Sequence, residues 1–357
     1  MASVTFESVQ VASERTVLLD AVDLHVPDGA VAAVVGPSGS GKSTLLRAVA
    51  GLARISGGCL RLGERDVTVA RTADRDVAMV FQEPSLLPRR TGRRNVEFPL
   101  EIRRATLESI RERVDAEARA MHIEHLLERL PSEMSRGEEQ MVQVARALVR
   151  VPQVLLLDEP FASLDEPRRR AMRAELALLQ AGYGVTTVIA TNDPRDAVEL
   201  ATMVVALEGG DGSRPGRVVQ VGATDDVRGQ PATLDTAASL GDLWTIPVVV
   251  RADAGAVWLV GELDASFRVR SWSPATASSD GRRLQLGVRT EHVIPGERGV
   301  HDARVRRVIP GSDPRAVLEL AGCTVMTAVP LTAPAGSSLR VDLVGQFVFD
   351  ERGRRIA

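Results

Sequence analysis

Among 44 basic side chains the sequence holds a single lysine, Lys42, and it stands in Gly36-Pro37-Ser38-Gly39-Ser40-Gly41-Lys42-Ser43-Thr44. An ammonium is a compact point charge on a flexible stem, whereas a guanidinium is a planar fork. With arginine at every other basic position, a requirement for the ammonium is the better reading here. The pattern Gly-x-x-x-x-Gly-Lys-Ser follows an apolar run, Ala30 to Val35, and precedes a helix-like stretch, Ser43 to Leu52. A tight glycine loop between strand and helix turns backbone N–H groups inward, and at a helix N-terminus these cradle α- and β-phosphates. Lys42 is then placed to reach the β- and γ-phosphates, and the Ser43 hydroxyl to ligate Mg²⁺. A Gly/Ser turn that binds nothing would not need this strand–loop–helix setting.

A second set of reactive residues follows another apolar run, in Val154-Leu-Leu-Leu-Asp158-Glu159-Pro160. A carboxylate at the end of a buried strand, Asp158, can hold Mg²⁺ directly or through water. Glu159, one residue on, is placed to polarise an attacking water as general base. Alone, two adjacent acids after a strand read as a solvated pair; beside the glycine loop they read as the other half of a phosphate site.

The elements that must position these residues alternate along the chain. Short apolar runs, including Val154 to Leu157 and the β-branched Val185 to Ala190, are separated by helical patterns, which predicts an α/β domain with a largely parallel sheet. Pro167 to Gln180 reads as a helix with proline in its first turn. Leu107, Ile110, Val114, Ala118 and Met121 recur at helical spacing and predict an amphipathic helix without chemistry. Glu208 to Gly216 is a Gly/Pro/Ser turn or hairpin. After about residue 235 short β-like runs take over: Ile246 to Arg251, Val257 to Val260, Leu284 to Val288, Val317 to Leu320 and Leu339 to Val344. They predict a small all-β barrel or sandwich over 236–357, behind an α/β domain over 1–235.

Composition bounds the partners. A chain of 357 residues suggests two domains, and 44% hydrophobic residues suffice for sizeable cores. The net charge of −3 gives no global basic field, so nucleic acid is not an expected partner. Arg89-Arg90 and the run Arg168 to Arg170 read first as solvated faces, with local contact to a partner or anionic lipid as the second reading. The two cysteines, Cys59 and Cys323, form no disulfide framework and suit a reducing compartment. No signal peptide is visible and no apolar run approaches the ~18 residues needed to cross a bilayer, so a soluble, cytoplasmic chain is expected.

At these residues the chain resembles the ATPase subunits of ABC transporters. Beyond the two elements above, Val80-Phe81-Gln82 resembles the family's Q-loop, Met134-Ser135-Arg136-Gly137-Glu138 its signature motif and Ser163-Leu164-Asp165 its D-loop. Val144-Ala145-Arg146-Ala147-Leu148 continues the pattern, and all lie in the family's order over residues 1 to about 235. Further on, Leu286-Gly287-Val288-Arg289-Thr290-Glu291-His292-Val293 is similar to the G-x-R-P-E-H segment of carbohydrate-importer ATPases of the maltose and glycerol-phosphate type, with Thr290 in place of proline.

The resemblance implies a P-loop ATPase domain with a helical, signature-bearing part near 85–150 and a C-terminal OB-like regulatory domain. It implies ATP and Mg²⁺ as cofactors, and a head-to-tail pair with a second copy or a related ATPase subunit. Each ATP would lie between one subunit's glycine loop and the other's Ser135, Arg136, Gly137 and Glu138, near Asp165. Gln82 would sense Mg²⁺ and the attacking water, while its loop, roughly to Asn95, borders the groove for membrane permease subunits. An extracytoplasmic solute-binding protein would complete an importer, with this chain peripheral on the cytoplasmic face of the membrane.

Four departures bear on turnover. The family's switch histidine falls on Asn192 in Thr191-Asn192-Asp193; an asparagine can donate a hydrogen bond but is neutral and shorter, which implies slow hydrolysis. No aromatic residue for stacking on adenine lies near Val11 to Ser13, and the one tyrosine is Tyr183. Arg136 stands where the signature has its first glycine, where it clamps phosphate, hinders close approach, or pairs in solvent with Glu138, itself in place of glutamine. Two readings remain: an energy-coupling ATPase for import of a carbohydrate or related polar solute, and a nucleotide-gated regulatory subunit with little turnover.

Overall fold

The computed structural model describes the chain outside residues 1, 14–15, 84, 163, 211–213, 254–255, 262–265, 268–280, 297–298, 310–314, 321, 328–333 and 357. It divides into two compact units, Met1–Gly229 and Gln230–Ala357. The short helix Leu234–Ala238 thus belongs to the second.

The first unit runs β1 (Val4–Ala12), β2 (Val17–Val26), β3 (Val31–Val35), α1 (Lys42–Ala50), β4 (Ile55–Leu62), β5 (Arg65–Asp66), β6 (Val77–Val80), α2 (Gly92–Ile102), α3 (Leu107–Ala120) and α4 (Arg136–Leu148). It continues with β7 (Val154–Asp158), α5 (Glu166–Tyr183), β8 (Thr186–Ala190), α6 (Pro194–Leu200), β9 (Met203–Glu208), β10 (Arg217–Ala223) and α7 (Thr224–Gly229). Every residue of β3, β7 and β8 is buried, which is why these strands read as continuous apolar runs rather than alternations. They form a six-stranded sheet in the order β10-β9-β3-β8-β7-β6, parallel from β9 to β6, with β10 antiparallel beside β9 after the Glu208 to Gly216 connection.

A second, antiparallel sheet, β2-β1-β4-β5, was not expected from the sequence. Register shifts between Phe6 and Val9 and between Val9 and Val11 break the period-two alternation by which β1 would have been found. The two sheets share one core, which holds Leu45, Leu46 and Val49 of α1 together with Phe6, Leu24 and Leu60 of the antiparallel sheet and Val34 and Leu156 of the parallel one. Each such buried side chain contributes about 1.5–3 kcal/mol, so α1 is bound firmly into that core.

The helices differ from expectation mainly at their ends. Helix α1 stops at Ala50 rather than Leu52, because Gly51 turns into the left-handed region at φ 74° and returns its N–H to Ala48 O. Helix α5 starts at Glu166, with Asp165 as its cap and Pro167 in the first turn, and runs on to Tyr183. In α3 the buried stripe is Ile110, Val114 and Ala118 with Met121 beyond it, while Leu107 is 75% exposed.

The second unit contains α8 (Leu234–Ala238), β11 (Leu243–Asp253), β12 (Ala256–Val260), β13 (Ser266–Phe267), β14 (Arg283–Arg289), β15 (Val293–Pro295), β16 (His301–Ile309), β17 (Arg315–Leu320), β18 (Cys323–Thr327), β19 (Ser338–Leu343) and β20 (Gln346–Phe349). Two five-stranded sheets, β13-β12-β11-β14-β20 and β15-β19-β16-β17-β18, enclose an aliphatic core that includes Ile246, Leu286, Val305, Leu318 and Val341. The segment Leu286 to Val293 ends β14 and turns into β15. At its centre Thr290 donates its N–H to Asp242 O at 3.1 Å and accepts from Trp244 Nε1 at 2.9 Å, two bonds that proline could not make. Arg289 lies over the ring of Phe347 at 5.5 Å, and His292 Nδ1 is 3.1 Å from Gly345 O.

Candidate nucleotide site

The glycine loop links β3 to α1. Gly36 has φ 144°, and a Cβ there would lie 2.3 Å from Leu207 O, so the close approach to β9 requires glycine. Gly41 caps α1 at φ 100° and offers no side-chain acceptor, and no acidic residue occupies the first turn. Side-chain oxygens of Thr91, Thr106, Ser135, Asp165, Asp193 and Thr233 cap α2, α3, α4, α5, α6 and α8. The first amides of α1 and the positive end of its dipole are therefore left to the loop. Ser40 Oγ is fully buried there with no hydrogen-bond partner. This is the environment of an anion site.

Lys42 is 6% exposed and donates from Nζ to Gly36 O at 2.8 Å and Pro37 O at 3.0 Å. Burial pulls its pKa below the ordinary value, against the opposing pull of the Glu159 and Asp158 charges. Ser43 Oγ donates to Asp158 Oδ1 at 2.7 Å across 115 residues of sequence. A hydroxyl and a carboxylate oxygen in contact suit a hard cation such as Mg²⁺. Of the three expected metal ligands the structure thus brings two together; Gln82 is exposed and no described hydrogen bond joins it to them. Pro37, Ser38, Gly39 and Thr44 complete the loop and the start of the helix, with Ser38 and Gly39 exposed.

The order β3-β8-β7-β6 places at one edge of the sheet the glycine loop, the Thr191-Asn192-Asp193 loop, Asp158 with Glu159, and Gln82, each leaving the C-terminal end of its strand. Glu159 itself has φ 46°, an uncommon conformation for a side-chain-bearing residue, held by its N–H donating to Ala190 O at 2.8 Å. Asn192 Nδ2 donates to Glu159 Oε1. Asparagine is therefore long enough to touch the acid.

The signature segment starts α4. Ser135 and Glu138 form a capping box: Ser135 N–H donates to Glu138 Oε2 at 2.7 Å, and Glu138 N–H to Ser135 Oγ at 3.4 Å. Glu138 pairs with Arg129 at 3.4 Å rather than with Arg136, because the box turns its carboxylate back toward the preceding turn. Arg136 is exposed at the first position of α4. A Cβ on Gly137 would lie 3.1 Å from the side chain of Leu164. Asp165 Oδ1 accepts the Arg168 N–H at 3.0 Å; Ser163 lies outside the described residues. No described hydrogen bond joins the signature to the glycine loop.

Several residues that organise these loops escaped the sequence reading. Asn95, fully buried, accepts Leu87 N–H at 2.7 Å and donates to Arg90 O at 2.9 Å and Thr91 O at 3.0 Å, shaping the loop beyond Gln82. Ser85 is gripped from α4, where Gln143 Oε1 accepts its N–H at 3.3 Å and Arg146 donates to its carbonyl at 2.9 Å and its hydroxyl at 3.0 Å. The arginine runs also differ from solvated faces. Arg90 pairs with Glu101 at 2.8 Å and covers Phe98, while Arg169 pairs with Asp193 at only 19% exposure; Arg89, Arg168 and Arg170 remain exposed. On α5 successive side chains leave the helix about 100° apart, so Arg169 turns inward between two exposed arginines, whereas Arg89 and Arg90 lie in the turn before α2. Tyr183 donates to Glu117 Oε2 at 2.8 Å, joining α5 to α3.

Comparison with known proteins agrees with this arrangement. The model of the ABC transporter family matches residues 19–162. The chain is 34% identical to the sn-glycerol-3-phosphate import ATP-binding protein UgpC of Ruegeria pomeroyi, over 100% of both chains. It is 36% identical to the maltose/maltodextrin import ATP-binding protein MalK of Escherichia coli, covering 83% of this chain and 79% of the relative. It is also 36% identical to the sulfoquinovosyl glycerol transport ATP-binding protein SmoE of Agrobacterium fabrum, over 83% and 81%. Among solved structures, cbiO1 from Clostridium perfringens, part of the ABC transporter complex cbiONQ, superposes with a TM-score of 0.56 at 26% identity, covering 64% of this chain and 95% of that one. The glycine loop, the strand-end acids and full-length similarity to import ATPases together place the chain in the ABC transporter family, as an ATP-hydrolysing subunit of the sugar and glycerol-phosphate importer type.

Proposed function

We propose that the protein binds ATP with Mg²⁺ in a site completed by a second ATPase subunit, and that hydrolysis there drives uptake of a carbohydrate or related polar solute. The observation that carries this reading is the convergence of Lys42, the Ser43–Asp158 pair, Glu159 and Asn192 at one edge of the sheet. The relatives' names give glycerol phosphate, maltodextrin and sulfoquinovosyl glycerol as transported solutes, and all three are polyols. Permease subunits in the membrane, fed by a solute-binding protein outside, would carry the solute, with this chain on the cytoplasmic face. No helix among the described residues is long and apolar enough to cross a membrane, which suits attachment through a permease.

In this reading the amides heading α1 and the Lys42 ammonium hold the β- and γ-phosphates. Ser43 and Asp158, with Gln82, would hold Mg²⁺, which supplies charge neutralisation at those phosphates. Glu159 accepts a proton from water as the water oxygen attacks the γ-phosphorus and the bond to the β–γ bridging oxygen breaks, leaving ADP and phosphate. The Asn192 amide, which donates to Oε1 of Glu159, orients that carboxylate. Ser135, Arg136, Gly137, Glu138 and Asp165 of the second subunit would close over the nucleotide, a second copy of this chain or a related subunit serving equally. Nothing in the relatives favours the low-turnover regulatory alternative.

Steady-state phosphate release by the complex with its permease tests the assignment. Glu159→Gln should lower it by about a hundred-fold, the range of a general base. Release equal to that of the unaltered protein would overturn the role of Glu159.

A further inference from the structure

Two loops must keep their places for Glu159 to face a water: the one after β7, which carries Glu159 to Asp165, and the one after β8, which carries Asn192. One guanidinium joins them. Arg169, in the first turn of α5, donates from Nη1 to Asp193 Oδ2 and from Nη2 to Leu164 O at 3.2 Å. Its side chain is 19% exposed and that of Asp193 14%. Asp193 also accepts the Arg195 N–H at 2.9 Å and Nε at 3.3 Å, and Arg195 pairs with Glu166 at the head of α5 at 2.7 Å.

The residue before Asn192 is anchored by a parallel route. Thr191 Oγ1 donates to Asp196 Oδ2 at 2.8 Å, and Asp196 is held by the buried Arg173 of α5 at 3.0 Å. Both neighbours of Asn192 are thus fastened to α5 through guanidinium–carboxylate links. Burial acts to raise the Asp193 carboxyl, but the hydrogen bonds from Arg195 and Arg169 outweigh it and leave it below its ordinary value. The carboxylate facing Arg169 is therefore ionised at neutral pH.

An asparagine reaches its partner with a short side chain of only two torsions, so its backbone has little slack. We propose that Arg169 is a positioning residue for hydrolysis: its forked guanidinium, spanning Asp193 and the Leu164 carbonyl, holds the Asn192 amide on Glu159. An ammonium would have to reach both acceptors from a single nitrogen, whereas the guanidinium covers them from two. The inference rests on Glu159 acting as base, and its test separates the two.

Phosphate release by the complex with its permease is measured against ATP concentration for Arg169→Ala, Arg169→Lys, Asp193→Asn, the Arg169→Ala/Asp193→Asn double variant and Glu159→Gln. Asp193→Asn keeps a good helix cap and its size, so it preserves the fold if Arg169→Ala does not. Arg169→Ala and Asp193→Asn should each lower kcat about ten-fold with KM for ATP unchanged, as displacement of a catalytic contact does. The double variant should lose no more than either single one, because both cut the same link, and Arg169→Lys should recover part of the loss. Full kcat in Arg169→Ala and Asp193→Asn beside a collapsed Glu159→Gln overturns this inference alone, as do additive losses in the double variant. Unaltered release in Glu159→Gln overturns the base assignment and the inference with it.

Discussion

Lys42 lies buried and folded onto two carbonyl oxygens of its own loop, those of Gly36 and Pro37. A guanidinium is wider and cannot lie in that space as a point charge, which gives a physical basis for lysine where every other basic residue is arginine. Lys42→Arg should weaken ATP binding by ~2 kcal/mol, about thirty-fold, the scale of a hydrogen bond to a charged group, in equilibrium titration of the protein with nucleotide. Asn192 poses the complementary case. In the proposed site its neutral amide would orient Glu159 without adding positive charge near the γ-phosphate, and it does not titrate. Asn192→His should raise single-turnover ATP cleavage by the assembled transporter about ten-fold, some 1.4 kcal/mol of barrier. The variant should also acquire an inflection near the ordinary imidazole value of about 6.5 that the unaltered protein lacks. An unchanged rate would remove the case for slow turnover. The residues of the glycine loop and the strand-end acids were legible in sequence because their chemistry dictates type and spacing within a few positions. Arg169 was not, since nothing in Arg168-Arg169-Arg170 says which guanidinium points inward.

At the scale of elements, the apolar strands were readable wherever both faces are buried, as in β3, β7 and β8, and unreadable where bulges break the alternation, as in β1. The contacts between helices were out of reach for the same reason as Arg169: they join residues far apart in the chain. Arg75 illustrates this, its buried guanidinium donating to Ala48 O at 2.6 Å and Val49 O at 3.0 Å at the C-terminal end of α1, where a cation complements the dipole. The contact between α3 and α5 carries a prediction. Glu117 is 4% exposed, its Oε1 has no hydrogen-bond partner, and burial raises its pKa despite the Tyr183 hydroxyl on Oε2. A carboxyl whose pKa is raised on folding favours the folded state below its ordinary value of 4.5, and that contribution is lost as pH rises through the raised value. Glu117→Gln keeps an acceptor for Tyr183 and removes the buried charge. Its melting temperature should exceed that of the unaltered protein at pH 8, and the gap should shrink at pH 5. A gap that is constant with pH would mean that the carboxylate is not the cause. The Tyr183 hydroxyl is correspondingly pushed up to about 12, burial first and Glu117 second.

The whole molecule joins an ATPase unit, Met1–Gly229, to a unit of two antiparallel sheets, Gln230–Ala357. The ATPase unit by itself holds only part of the proposed site, since Ser135 to Glu138 make their contacts with Arg129 and Leu164 and none of the described hydrogen bonds reaches the glycine loop. If two copies complete each other, ATPase activity per chain should rise with protein concentration in dilute solution and then level off. Activity per chain independent of concentration down to the lowest measurable level would argue for a site complete in one chain. The amino-acid sequence by itself determined the glycine loop between strand and helix, the paired acids at a strand end, the two classes of domain and the family, because each is written in consecutive residues whose conformational and chemical needs are local. Only the tertiary structure decided which residues meet: Ser43 with Asp158 across 115 positions, Asn192 with Glu159 across 33, and Arg169 with Asp193 rather than with water. Those pairings follow from strand order and from which face of each helix is covered, and these are set by burial summed over the whole unit rather than by any single stretch of chain.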